Sequence, residues 1–250
     1  MSKLNNKVAI VTGGSKGIGA AIAAALAAAG AAVVVNYASS RAGADAVVAK
    51  IAKQGGRAIA VQGDMAKAAD VERVFAAARE AFGTPNVLVN NAGVYAFGPI
   101  EDLSEDDYRR QFDTNVLGVL LATREAVKHF GPAGGSVINI GSIASVGQMP
   151  NSAVYSATKS AVDAITRVLA IELAAKKIRV NTIAPGATAT EGLAAMGVVD
   201  GSDLQKAKVA AIPAGRLGRP EDIAPLVAFL ASDDAAWITG ERISASGGQR

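Results

Sequence analysis

The chain has 250 residues, half of them hydrophobic and 19% charged, with 25 basic against 22 acidic side chains. It has no cysteine and one histidine, which excludes disulfides, thiolate catalysis and a multi-histidine metal site, so no metal is expected. The net charge of +3 comes without a basic run, which argues against nucleic acid as a partner.

Residues 1–7 are polar and short, unlike a secretory signal. With the lack of cysteine this points to a cytoplasmic protein. Lys7 to Val11 is apolar and β-branched and reads as a buried strand. Thr12-Gly13-Gly14-Ser15-Lys16-Gly17-Ile18-Gly19 follows, and then an Ala-rich helix from Ala20 to Ala29. A glycine turn between a buried strand and a helix N-terminus offers free N–H groups and a partial positive charge to a pyrophosphate. The stretch from Gly17 to Ser40 carries no charge, but it is not a membrane span. It is rich in Ala rather than Leu, and Gly30 separates the helix from a strand at Ala32 to Asn36.

A dinucleotide fold that reads ribose hydroxyls carries an acid near the end of that second strand. Here stand Asn36, Tyr37, Ala38, Ser39, Ser40 and Arg41. Ser39, Ser40, Arg41 and Lys16 suit a 2′-phosphate, so the expected cofactor is NADP(H) rather than NAD(H). Ser39 or Ser40 is alternatively a cap of the next helix, Ala42 to Gln54. A third strand, Arg57 to Gln62, leads to Gly63-Asp64-Met65. Asp64 can accept from an adenine amino group, cap the helix from Ala68 to Phe82, or do both. The fourth strand, Asn86 to Asn90, is closed by Asn91-Ala92-Gly93, small residues against which a cofactor can lie flat. Tyr95, Phe97 and Pro99 either line a substrate pocket or pack.

Ser104 and the acids after it start a helix that reads through to about Phe130. Asn115 is out of place by propensity in mid-helix and reads as a buried hydrogen-bonding residue. His129 reads as a surface residue. A fifth strand, Gly135 to Gly141, leads into Ser142. After a loop, a long helix runs to about Ala175 and carries Tyr155 and Lys159 one turn apart on one face. The sixth strand, Lys177 to Ala184, ends in Pro185-Gly186. Residues 187–212, with Thr188, Thr190 and Met196, lack a clean period and read as a mobile lid or a disordered insertion. A helix from Pro220 to Ala231 and a last strand from Trp237 to Ala245 close the chain. The alternation of strand and helix predicts one α/β domain over 1–250 with a doubly wound parallel sheet.

Asn115, Ser142, Tyr155 and Lys159 then fall at the ligand-facing edge. A phenol titrates near ~10, and a neighbouring ammonium is expected to lower it, so that Tyr155 can pass a proton to a carbonyl oxygen that Ser142 holds.

These motifs, in this order along nearly the whole chain, resemble the short-chain dehydrogenase/reductase family. They are Thr12-Gly13-x-x-x-Gly17-x-Gly19, Asn90-Asn91-Ala92-Gly93, Asn115, Ser142, Tyr155-x-x-x-Lys159 and Pro185-Gly186. The resemblance implies a Rossmann fold with a seventh strand, and a homotetramer or homodimer built on the long helices. It makes Tyr155 the acid/base and Ser142 the carbonyl orienter. Lys159 lowers the phenol pKa and holds the nicotinamide ribose, and Asn115 holds a relay water. Pro185, Gly186 and Thr188 would lie by the nicotinamide, with further cofactor contacts from Ser15, Lys16, Ile18, Tyr37, Ser39, Ser40, Arg41, Asp64, Met65 and residues 91–93. Gly141 stands where a second Ser is common, with no consequence expected.

The expected activity is hydride exchange between NADP(H) and a small carbonyl or alcohol substrate. A 3-oxoacyl-carrier-protein reductase and a glucose 1-dehydrogenase are the alternatives. Arg124, Lys128, Lys176 and Lys177 are interleaved with Glu125 and Glu172, a poor dock for an acidic carrier protein. A non-catalytic cofactor sensor should have lost the Ser–Tyr–Lys set, which this chain keeps.

Overall fold

The computed structural model describes residues 3–249. In chain order the elements are β1 (Val8–Val11), α1 (Gly17–Ala28), β2 (Ala32–Tyr37), α2 (Arg41–Lys53), β3 (Arg57–Gln62), α3 (Ala68–Phe82), β4 (Val87–Asn90), α4 (Glu105–Phe112), α5 (Gly118–His129), β5 (Gly135–Ile140), α6 (Ala153–Glu172), β6 (Ile178–Pro185), α7 (Glu191–Ala195), α8 (Asp203–Ala210), α9 (Pro220–Ala231) and β7 (Arg242–Ala245). The seven strands form one sheet in the order β3-β2-β1-β4-β5-β6-β7, and every pairing is parallel. The order reverses between β1 and β4, so the crevice at their C-terminal ends is where such a sheet takes a ligand.

Strand residues alternate between the two faces. Val33 and Val35 join α1 and α9 in one core through Ile22, Leu26, Ile223, Val227 and Leu230. Val34 joins α3, α5 and α6 in the other through Val74, Phe75, Ala126 and Ala170. Both faces are covered, which is why these strands read as continuous apolar runs. No helix of the described residues is long and apolar enough to cross a membrane.

Three expectations change. The helix read from Ser104 to Phe130 is interrupted by a π-helical turn at Asp113–Leu117. The last strand starts at Arg242 rather than Trp237, whose side chain is fully exposed in the preceding turn. Residues 187–212 are ordered: Thr190 caps α7, Ser202 caps α8, and Val198, Ile212 and Leu217 form a small core of their own. Three apolar residues spread over twenty positions leave no visible period.

Polar side chains buried in the core align the layers. Asn90 Nδ2 donates to Asn139 Oδ1 at 2.8 Å, Asn139 Nδ2 donates to Thr166 Oγ1 at 2.8 Å, and Thr166 and Thr182 share a bond of 2.7 Å. This links β4, β5 and β6 to α6. Asn36 does the same beneath the glycine turn. It is buried, accepts from Gly13 N at 3.2 Å and donates to the carbonyls of Gly63 at 2.9 Å and Val61 at 3.3 Å. Two carbonyl partners require a donor there, so an acid cannot take its place. Asn36→Asp should lower unfolding free energy by about 2–3 kcal/mol, because a carboxylate would be buried against those carbonyls. Urea unfolding at pH 7 checks it; a loss under ~0.5 kcal/mol would show that the cross-link is dispensable.

Candidate active site

The glycine turn is held in shape from β4. Thr12 Oγ1 accepts from the amides of Asn91 and Ala92 at 3.0 and 2.9 Å, and Asn91 Nδ2 donates to the carbonyls of Thr12 and Gly13, both at 2.9 Å. Gly13 has φ +61°, and a Cβ there would lie 2.9 Å from Ala92 Cα. A Cβ on Gly19 would run into Gly13 O and Asn91 Nδ2. No side chain caps the N-terminus of α1 at Lys16. Backbone free of side-chain cover, at a helix start, is a cradle that fits a pyrophosphate.

At the end of β2, Ser39, Ser40 and Arg41 are exposed. Gln62 Nε2 donates to Ala38 O at 3.1 Å and fixes their loop. Ser40 is the first flanking residue of α2 but its side chain makes no cap bond, so its hydroxyl is not spent on the helix. Arg41 is paired only loosely, at 3.5 Å to Asp45, with its side chain 79% exposed. Lys16 is exposed as well. Asp64 accepts from Ala66 N at 3.1 Å, and its own amide donates to Asp70 at 2.8 Å, so it shapes the turn before α3 rather than capping the helix directly. Tyr37 and Met65 are buried in the core, and Ile18 packs against it, which leaves main-chain atoms for any ligand.

The four catalytic candidates come from three places: Asn115 from the π turn, Ser142 from the loop after β5, and Tyr155 and Lys159 from α6. Lys159 Nζ is buried on α6 and donates to Ile140 O, at the end of β5, at 2.9 Å. It lies 5.7 Å from the Tyr155 ring centroid. Burial pulls its pKa from 10.5 down to about 8, against the pull of Asp163. The Tyr155 phenol is pushed above its usual value by burial, with the Ser142 hydroxyl lowering it and Tyr95 adding to the rise. The expected net depression is not seen, because burial outweighs what lowers the phenol value. The ammonium is turned to the Ile140 carbonyl, and the phenol is covered by aromatic rings. Phe97 meets Tyr155 edge-on at 5.5 Å and Tyr95 at 6.2 Å, while Tyr95 and Phe97 stack at 5.4 Å.

Asn115 sits in the π turn. Its Oδ1 accepts from Val94 N at 2.8 Å, and its Nδ2 donates to Val94 O at 2.8 Å and Thr158 Oγ1 at 3.1 Å. Both donors are used, so the side chain ties the segment after β4 to α6. A Cβ on Gly93 would lie 3.4 Å from Asn115 Oδ1 and 3.7 Å from Lys159 Nζ, which shows how closely the end of β4 approaches the pair. Ser142 Oγ accepts from Ala144 N at 3.1 Å. Thr188 is buried, donates to Gly186 O at 2.9 Å and bridges to Gly218, and Pro185 ends β6 beside them. His129 is not free at the surface: it meets Glu125 at 3.1 Å and Phe75 at 5.6 Å.

Two features escape sequence reading. A Cβ on Gly192 of α7 would collide with the Tyr95 hydroxyl, so the lid rests on the aromatic wall. A groove of about 910 Å³ opens between α1, α2 and α7, lined by Lys16, Gly17, Val47, Thr190, Glu191 and Leu217 among others. None of Ser142, Tyr155 or Lys159 lines it, and it flanks the glycine turn.

Residues 13–250 match the family described as enoyl-(acyl carrier protein) reductase. The chain is 60% identical to an uncharacterized oxidoreductase of Methylorubrum extorquens, over all of both chains. It is 41% identical to a versicolorin reductase of Emericella nidulans, over 98% of this chain and 96% of the relative. Among solved structures, a variant of a Serratia marcescens short-chain dehydrogenase/reductase superposes with a TM-score of 0.93 at 39% identity, covering 98% of each chain. A blue fluorescent protein from a metagenomic library, in complex with NADPH, superposes with a TM-score of 0.91 at 38% identity, again covering 98% of each.

The depressed Lys159 value fixes a pH dependence. Between pH 8 and 10.5 the unfolded lysine keeps a proton that the folded one has lost, so the penalty for burying the charge is full below 8 and fades as pH rises. From pH 7 to 10 the wild type should gain about 2 kcal/mol relative to Lys159→Met in unfolding free energy. Parallel stability curves for the two proteins would show that Lys159 titrates normally.

Proposed function

The chain is an oxidoreductase of the short-chain dehydrogenase/reductase family, and on that premise we propose that it interconverts ketones or aldehydes and alcohols with NADP(H). The observation that carries this reading is the meeting of Tyr155, Ser142 and a buried Lys159 ammonium at the sheet edge beside the glycine cradle. When bound, the nicotinamide supplies or takes the hydride. The cradle at Gly13, Gly17 and Gly19 would hold its pyrophosphate. Lys16, Ser39, Ser40 and Arg41 are exposed at the place for a 2′-phosphate, which supports NADP(H) over NAD(H). The solved relative in complex with NADPH supports the same choice.

Ser142 Oγ orients the carbonyl oxygen toward the Tyr155 phenol. Tyr155 gives that oxygen its proton as the alkoxide develops, and takes it back in the direction of oxidation. The Lys159 ammonium stabilises the phenolate left behind. Asn115, held on both sides by Val94, is a positioning residue for the π turn rather than a donor to substrate.

Tyr95, Phe97, Met149 and Met196 are all partly exposed, which supports an apolar substrate with a flat ring system, and the versicolorin reductase relative supports it too. A carrier-protein substrate fits less well, because Lys128 is paired with Glu125 at 2.8 Å and Arg124 faces Glu72 at 4.0 Å. Leu117 and Leu120 on one side, with Val168 and Ile171 on α6, remain exposed and support assembly into a homodimer or homotetramer. The cysteine-free sequence supports a cytoplasmic location.

Oxidation of NADPH and NADH should be followed side by side with aryl ketones, aldehydes, a β-ketoester and an acetoacetyl thioester, and glucose with NADP⁺ run in reverse. Aryl ketone turnover with NADPH is expected. Turnover of the thioester alone, or of glucose alone, would reject the carbonyl-reductase reading. Tyr155→Phe should lower kcat by about 10²–10⁴-fold and leave the NADPH Kd unchanged. Lys16→Ala with Arg41→Ala should weaken NADPH about tenfold or more and leave NADH unaffected. Equal loss for both cofactors would overturn the 2′-phosphate assignment.

A further inference from the structure

Arg242 stands on the edge strand β7, yet its guanidinium reaches the end of β5. Its Nε is shared between Asp163 Oδ2 at 2.9 Å and Ser145 Oγ at 3.1 Å. Its Nη2 donates to the Ser142 carbonyl at 3.2 Å, and its Nη1 donates to Ser244 Oγ at 2.9 Å. Asp163 is buried, with its side chain 4% exposed. It lies on α6 one turn beyond Lys159 and two beyond Tyr155. One planar group thus joins the strand end that carries Ser142 to the helix that carries the other two residues. The Ser142 carbonyl also accepts from Ser145 N at 3.1 Å and Ser145 Oγ at 2.9 Å. Ser160, again on α6, donates to Ser145 O at 2.7 Å.

Stability alone is a poor reason for this arrangement. A buried ion pair is often no better than an apolar pair of the same volume. Here Asp163 Oδ1 is buried with no hydrogen-bond partner among the described residues. An orphan oxygen adds a further cost. What a guanidinium offers that an apolar side chain does not is direction: a rigid fork that fixes a carboxylate and a carbonyl at once. The packing there is close as well. A Cβ on Gly141 would fall 2.6 Å from Thr182 Cγ2 and 3.4 Å from Asp163 Oδ1, so the glycine before Ser142 does have a consequence.

We propose that Arg242, anchored by Asp163, is a positioning residue that fixes the Ser142 backbone and so aims the Ser142 hydroxyl at the Tyr155 phenol. The proposal rests on the reductase reading of Ser142 and Tyr155. It does not extend to contact between Arg242 and substrate.

Two measurements on the full chain test it, one of them without turnover. By hydrogen exchange, Arg242→Gln should speed exchange of the Ala144 and Ser145 amides by about tenfold or more, with the interiors of β5 and α6 unchanged. In steady-state kinetics the same substitution should lower kcat/KM for a ketone by about 30-fold while the KM for NADPH stays fixed; in a Ser142→Ala background it should cost less than about threefold. Arg242→Lys, which keeps the charge but not the fork, should fall between, and it carries both measurements if Arg242→Gln does not fold. The same factor in both backgrounds would show a general structural effect and overturn the proposal, as would unchanged exchange at 144–145. If the wild type reduces no carbonyl compound, the reductase reading fails, and the exchange result still decides whether Arg242 holds the Ser142 turn.

Discussion

A buried ammonium is costly to hold, and the centre of this molecule is arranged around one. Among the described residues, Lys159 Nζ donates one hydrogen bond, to the Ile140 carbonyl at 2.9 Å, where β5 ends. That bond fixes the first turns of α6 against the end of β5. Tyr155 and Ser142 are thereby set on the same edge, since one lies a turn before Lys159 and the other two residues past Ile140. Asp163, one turn further along α6, opposes the fall in the lysine pKa. The ammonium is left near the middle of its titration in mildly alkaline water.

The neighbouring loops are held by side chains that make main-chain contacts in place of a ligand's. Thr12 and Asn91 bind the glycine turn to the end of β4, Asn36 binds it to the end of β3, and Asn115 binds residue 94. Each is an uncharged polar group with its partners supplied; Thr12, Asn36 and Asn115 are buried and Asn91 is half-buried. The loops of the ligand edge are thus held by the chain's own hydrogen bonds.

Much of this was legible in the chain. The strands announce themselves as apolar, β-branched runs between glycine-rich turns, and Tyr155 and Lys159 announce their common face by spacing. What stayed hidden depends on partners far away in sequence. The asparagine in the π turn bonds to Val94, 21 residues back. The rise in the Tyr155 pKa comes from burial under Tyr95 and Phe97, which no local pattern predicts. The order of residues 187–212 rests on a core of three residues too sparse to show a period. Arg242 carries no signal in the sequence, because its partner Asp163 lies 79 residues earlier.

Rigid and adaptable parts divide along the same line. Ser142 follows β5, and Tyr155 and Lys159 sit on α6; both elements belong to the main cores and the polar network behind them. The lid has only its own small core and touches the site through Gly192 and Tyr95. A local opening of the lid would break few apolar contacts, whereas moving Ser142 relative to Tyr155 would break the Arg242–Asp163 pair, the Ser160 bond and the Lys159 bond together. Under the proposed function, substrate range can therefore vary through α7, α8 and the aromatic wall while the placing of Ser142 against Tyr155 stays fixed.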